Sequence, residues 1–244
     1  MRTEMVKIYQ LEELSKEAKE RAIEWYRDII DRDFSFESEM ITEDFQYELQ
    51  KLYYPSDNVE WSLSYCQGDG VAFYGHINKD DLYKIVERNR ESLSDTHYEL
   101  YEKIYNDGLY IEADIVRNSF GYHYSHYNAM NVELDGDCIE TITESLFDDE
   151  EKLDEMYDEE ISDYNDEFYE LYREVEDLID SIEEIISQEI KVISKELENK
   201  GYEEIEYYTS DESIQEEIIA NEYEFLQDGT VYWYCNIKEI NKKI

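Results

Sequence analysis

Residues 148 to 184 hold about 19 carboxylates against two cations, Lys152 and Arg173. A tract that charged stays disordered unless it has apolar surface to bury. Here Tyr157, Ile161, Tyr164, Phe168, Leu171, Val175, Leu178, Ile182 and Ile185 recur at spacings of four and three. That is the stripe of an amphipathic helix with one covered side. The segment therefore demands a core long enough to take the stripe and a surface that keeps the other side in water.

The other side carries Glu155, Glu159, Ser162, Asp163, Asp166, Glu170, Arg173, Glu176, Asp177, Asp180, Glu183 and Glu184, with Tyr169 among them, and nearly all are acidic. A solvated helix ordinarily mixes in Lys or Arg so that i,i+4 neighbours attract. In this one they repel, as in Glu155/Glu159, Glu159/Asp163, Asp166/Glu170, Glu176/Asp180 and Asp180/Glu184. With Asp163/Glu167 and Glu170/Glu174 added, the repulsion costs on the order of 1.5–3.5 kcal/mol, a noticeable part of a margin of roughly 5–15 kcal/mol. Thirty-seven helical residues span roughly 55 Å, or one carboxylate per ~3 Å of axis. A nucleic-acid strand carries one phosphate per ~3.4 Å. The face reads either as a solvated surface that keeps the chain soluble or as one built for a cationic protein groove. Sequestration of divalent ions is a third reading.

The chain of 244 residues has a formal net charge of −43. Such a charge repels DNA, RNA and anionic membrane and steers basic proteins in. A hydrophobic fraction of 41% is enough for a real core. Tyrosine, at 25 residues, is abundant; it offers contact area with a polar tip and suits binding surfaces. Cys66, Cys138 and Cys235 are odd in number and far apart, which indicates neither a disulfide framework nor a zinc site. No signal-peptide core or membrane-length apolar run is present. The expectation is a soluble protein of a reducing compartment, the cytoplasm.

Along the chain, Met5 to Gln10 reads as a strand and Ser15 caps a helix to about Asp31. A second helix spans about Glu37 to Tyr53 and ends before Pro55. Val59 to Tyr65 and Val71 to Ile77 form a hairpin around Gln67-Gly68-Asp69-Gly70. Helices follow from Asn78 to about Asn89 and from Asp95 to Asn106. Leu109 to Asn118 and Tyr122 to Leu134 make a second hairpin. The acidic helix continues past a shift of its stripe near Ile185 to Ile186, Ile190, Ile193 and Leu197, as one curved helix or a helical hairpin, until Gly201. A short helix from Asp211 to Asn221 and a hairpin across Asp228-Gly229 close the chain. This is an α+β fold: an antiparallel sheet built from hairpins, helices on one side, and residues 148–200 as a long acidic amphipathic segment. No linker or repeat divides residues 1–244, so they read as a single domain.

The sequence contains no GxGxxG, GxxxxGK[ST], GxSxG or HExxH. With 65 carboxylates, paired acids arise by chance and say nothing about hydrolysis. His123 and His126 stand three apart on an expected strand and so point to opposite faces. Neither Asp135-Gly136-Asp137 nor the QGDG loop has the glutamate that would complete a calcium loop. No catalytic residue, metal ligand or cofactor is assigned.

Four blocks carry a resemblance: Tyr9 to Glu24 (YQLEELSKEAKERAIE), Ser64 to Phe73 (SYCQGDGVAF), Tyr122 to Leu134 (YHYSHYNAMNVEL) and Ala220 to Gly229 (ANEYEFLQDG). They resemble acidic proteins encoded by bacteriophages, a group to which no catalytic activity is attached. The resemblance implies a phage gene acting in the host cell. Phages make small, highly acidic proteins that occupy the nucleic-acid channels of host restriction or CRISPR nucleases. A phage origin adds weight to one reading of the acidic helix: a non-enzymatic, anti-CRISPR or similar anti-defence inhibitor, a DNA mimic gripping a basic nucleic-acid-binding host protein. The alternative is an antitoxin-like or regulatory module that masks a basic partner by shape; a metal-dependent enzyme is a more distant one. The apolar stripe is covered either within one chain or in a homodimer.

Overall fold

The computed structural model describes residues 5–118, 126–147 and 166–232. Its helices begin where polar side chains accept the free amides of a first turn. Ser15 accepts from Ala18 at the start of α1 (Lys16–Arg32), and α2 follows (Ser35–Lys51). Asn78 accepts from Asp80 and Asp81 to open α3 (Lys79–Arg88). Ser94 accepts from His97 to open α4 (Asp95–Asn106). One helix was not expected: α5 (Ile139–Leu146), capped by the thiol of Cys138. It is short and rich in β-branched residues, so it leaves almost no helical signal. Then come α6 (Asp166–Tyr208) and α7 (Asp211–Ala220), which Ser210 caps.

Gly201 does not end α6. It lies buried inside a continuous helix of 43 residues. A helical glycine costs about 1 kcal/mol relative to alanine, and burial of the glycine itself and of the stripe that runs up to Leu197 outweighs that.

Four strands form one antiparallel sheet: β1 (Asn58–Ser62), β2 (Gly70–Ile77), β3 (Ile111–Arg117) and β4 (Met130–Gly136), in the order β1-β2-β3-β4. The register places Val59 opposite Phe73, Ile77 opposite Ala113, and Ile115 opposite Val132. Ile111, Ala113, Ile115 and Val132 are buried, while their alternates Glu112, Asp114, Asn131 and Glu133 stay at least partly in water, as one covered sheet face requires. The α+β class and the antiparallel sheet agree with the sequence.

The outer hairpin does not extend that sheet. The expected strands at Met5–Gln10 and Glu222–Leu226 shrink to single bridges, Tyr9 with Phe225 and Phe225 with Val231. The turn is held instead against α1. Gly229 has φ +86°, and a Cβ there would lie 2.1 Å from the Ala18 carbonyl oxygen. Only glycine allows so close an approach in that conformation.

Two compact units result, Met1–Ile41 with Lys200–Ile244, and Thr42–Asn199. No linker marks this division because both boundaries fall inside helices, α2 and α6. In the first unit, Leu11, Ala22, Ile23, Ile30, Ile214, Ile218, Phe225 and Val231 form the core, and Trp25 meets Tyr223 and Phe225 edge-on. In the second, Phe45, Phe73, Ile77, Leu82, Ile85, Ile104 and Ile142 are buried with the stripe of α6.

That stripe matches its predicted phase. Phe168, Val175, Leu178, Ile182 and Ile185 are buried, Leu171 half-buried, and burial continues through Ile186, Ile190, Ile193 and Leu197. Each such side chain contributes about 1.5–3 kcal/mol by leaving water. Among the described residues these side chains are covered within one chain, Leu171 only in part. Ser194 adds a hydrogen bond from its hydroxyl to the Val71 carbonyl at 2.5 Å, fastening α6 to β2. Tyr157, Ile161 and Tyr164 lie outside the described residues.

Candidate partner-binding face

Because the stripe is buried, the opposite side of α6 is fixed toward solvent. Glu170, Glu176, Asp177, Asp180, Glu183 and Glu184 are all exposed, as are Glu174 and Tyr169. Asp166 opens the helix. Glu155, Glu159 and Asp163 lie outside the described residues, so the structure brings together only the second half of the predicted face.

Glu170 to Glu184 covers about 21 Å of helix axis, and seven carboxylates over that length give a spacing of about 3 Å, close to that of phosphates along one strand. Among the described residues, no Lys or Arg forms an ion pair with any of the seven. Further along the helix the pattern changes: Lys195 bridges to Glu198 at 2.6 Å and Lys200 to Glu204 at 3.8 Å. The like-charge pairs Glu170/Glu174, Glu176/Asp180 and Asp180/Glu184 therefore stand uncompensated. An array of this kind attracts cations over a distance of about one Debye length, ~8 Å at physiological salt.

One acidic residue of α6 belongs to a different environment. Glu189 takes two hydrogen bonds at Oε1, from Arg88 Nη2 at 2.8 Å and Nε at 3.1 Å. At Oε2 it takes two more, from Asn89 Nδ2 at 2.8 Å and Tyr54 Oη at 2.9 Å. Arg88 also donates to the Leu52 carbonyl at 3.1 Å. Burial first, and the Glu189 carboxylate second, push the Tyr54 hydroxyl far above the ordinary tyrosine range. This is a structural lock, built from residues 100 and 135 positions away. Helical periodicity carries no signal for it.

Two further arrangements escaped the sequence reading. The loop between β1 and β2 is organised by a carboxylate as well as by its glycines. Asp69 is buried and accepts from the Ser64 amide at 2.7 Å and the Cys66 amide at 2.8 Å. Gly70 takes a positive φ of +155°, but the residue in the left-handed helical region is Tyr65, at φ +57°, which is 74% exposed. On the sheet, His76 lies 3.1 Å from Asp114 and 3.4 Å from Glu112. Across β3 and β4, Glu112 faces Asp135 and Asp114 faces Glu133, so the outer sheet face is acidic as well. Among the described residues no group of three His, Cys, Asp or Glu side chains is placed to hold a metal ion. Cys66 and Cys138 are free and exposed. No described helix is long and apolar enough to cross a membrane.

His126 caps a short turn at Tyr127–Ala129 through the Asn128 amide, a structural role; His123 lies outside the described residues. Compared with protein-family models, with curated proteins and with solved structures, the chain matches none.

Proposed function

We propose that this protein is a non-enzymatic, phage-encoded inhibitor that binds a basic, nucleic-acid-binding host defence protein of restriction or CRISPR type. The seven exposed, unbridged carboxylates from Glu170 to Glu184, held on a helix whose back is buried, are the observation that supports this reading. A carboxylate row ordered before binding can pair with the Lys and Arg that otherwise hold phosphates, and loses little entropy in doing so. The reading extends the face upstream to Glu155, Glu159, Asp163 and Asp166.

The test is capture from host lysate at low and at high salt, using wild type and a variant carrying Glu170→Lys, Glu176→Lys, Asp180→Lys and Glu184→Lys. Wild type retains a basic nucleic-acid-binding protein in a salt-sensitive way, and the variant, folded by circular dichroism, loses at least about 100-fold in affinity, or 2.7 kcal/mol. Equal affinity in the two proteins sinks the proposal.

A second reading is an antitoxin-like or regulatory module that masks a basic partner by shape. The Asp69-braced loop favours it, because it presents the Tyr65 ring on a fixed support, as binding hot spots do. In that case Tyr65→Ala weakens capture more than the four charge reversals.

A further inference from the structure

A cleft of about 450 Å³ opens in the second unit between the β4–α5 turn and the first half of α6. Its origin is legible in the helix. Tyr172, Ile179 and Ile186 stand seven apart along one flank, yet Ile186 is fully buried while Ile179 and Tyr172 remain half-exposed. The flank is covered at one end and open at the other.

The opposing wall is stiff. Gly136 has φ +144°, and a Cβ on it would lie 2.4 Å from the Tyr110 carbonyl oxygen. Next to it the Asp137 amide donates to that same carbonyl at 3.0 Å, and the Tyr110 amide donates to Asp137 Oδ2 at 3.0 Å. The Asp135 Oδ1 accepts the Gly136 amide at 2.8 Å. A preformed wall of this kind needs no ordering when a ligand arrives.

The lining residues include Ile139, Ile179 and Tyr172 together with the acids Asp135, Asp137 and Glu140. Among the described residues no cation bridges to those three acids. An occupant that matches has an alkyl stem for the isoleucines, a planar cation for the ring and several donors for the carboxylates. Arginine has all three, whereas the lysine ammonium is a compact point charge without the planar fork.

We propose that this cleft receives an arginine side chain presented by the basic partner, and so gives the electrostatic face a specific anchor. The inference rests on the reading of the partner as a basic protein. It concerns a separate surface from the outward face of α6 and is tested separately.

The probe is N-acetyl-argininamide, titrated into the full chain while the isoleucine methyl resonances are followed by NMR. Saturable shifts at Ile139 and Ile179, with Ile193 and Ile214 unmoved, are expected. Asp135→Asn together with Glu140→Gln weakens the response at least about five-fold, as loss of charge-assisted bonds requires, and Tyr172→Leu weakens it independently. The neutral isostere N-acetyl-citrullinamide shifts neither methyl. An equal response to the citrulline compound, or shifts that grow linearly at every isoleucine, overturns the proposal, and the methyl spectrum itself reports whether each variant is folded. Glu176→Lys with Asp180→Lys leaves the small-probe shifts in place. A cleft that fails this titration therefore leaves the lysate result for the α6 face standing, and the converse also holds.

Discussion

Glu184 and Glu189 lie on one helix, about 7.5 Å apart along its axis, and they have opposite fates. Glu189 is only 17% exposed and its oxygens take four donated bonds, from Arg88, Asn89 and Tyr54. Glu184 is exposed, and its one hydrogen-bond partner among the described residues is the Gln188 amide at 2.9 Å. The difference teaches how this chain distributes its few cations. Arg88 is placed where a carboxylate is leaving water and needs compensation. On the outward face Arg173 is the one cation between Glu170 and Glu184, and among the described residues it bridges to none of the seven acids there, which water already solvates. Acidity at the first position holds the fold together; at the second it is carried against the interest of the fold.

The sharpest way to break this contrast is Arg88→Ala. It leaves Glu189 with Asn89 and Tyr54 alone in a mostly dry site, where removing one partner of a fully buried pair costs about 3–5 kcal/mol. Both groups here retain some solvent contact, 31% for Arg88 and 17% for Glu189, so screening reduces the loss to about 2 kcal/mol. Urea unfolding of Arg88→Ala, Glu189→Ala and the double variant gives the coupling between them. Strict additivity would show that the lock is not one.

The contrast also explains what the sequence does and does not disclose. The stripe of α6 is written locally, at fixed spacings from Phe168 to Ile185, so its phase and the exposure of Glu170 to Glu184 follow from periodicity alone. Glu189 looks like the acids around it, since its partners are set by tertiary contact. Gly201 carries a stop signal that packing overrides, and α5 is stabilised by a cysteine cap that sequence rules do not expect. In the β1–β2 loop the glycines drew attention, whereas the buried Asp69 fixes the backbone and leaves Tyr65 in the left-handed region. The acidic cleft beside Tyr172 joins β3, β4, α5 and α6, and nothing in any one of those segments announces it.

A smaller effect, and one with a pH signature, is expected from Tyr54→Phe. Near neutrality the loss of a hydrogen bond to a charged acceptor costs about 1.5 kcal/mol. The sign then turns at high pH. A tyrosine whose folded pKa is raised contributes stability that is present in full below its unfolded value of about 10 and is lost as pH rises beyond it. Wild type therefore falls toward the variant above pH 10 by up to about 1.4 kcal/mol per pH unit. Tyr26, pushed up to about 12 mainly by burial, adds the same alkaline weakness to both proteins and leaves their difference intact. Parallel stability curves from pH 9 to pH 11.5 would show that Tyr54 is no more protonated in the folded state than in the unfolded chain.

The smallest effect has the opposite direction and tests the other half of the contrast. Asp180 repels Glu176 and Glu184, each one turn away and exposed. Asp180→Lys turns both pairs attractive, and at about 0.2–0.5 kcal/mol per pair for each sign the change sums to roughly 0.8–2 kcal/mol in dilute buffer. At physiological ionic strength, where the Debye length is about 8 Å, something under 1 kcal/mol remains. The variant should therefore unfold at higher urea than wild type, with added salt narrowing the gap because screening relieves the repulsion only in wild type. The same substitution belongs to the set proposed to remove partner binding. A single residue would then gain stability and lose function together, as is expected where selection has kept a repulsive surface for what it binds. If Asp180→Lys is neutral or destabilising in low salt, the outward carboxylates are compensated in solution, and the case for a face held under electrostatic strain fails with them.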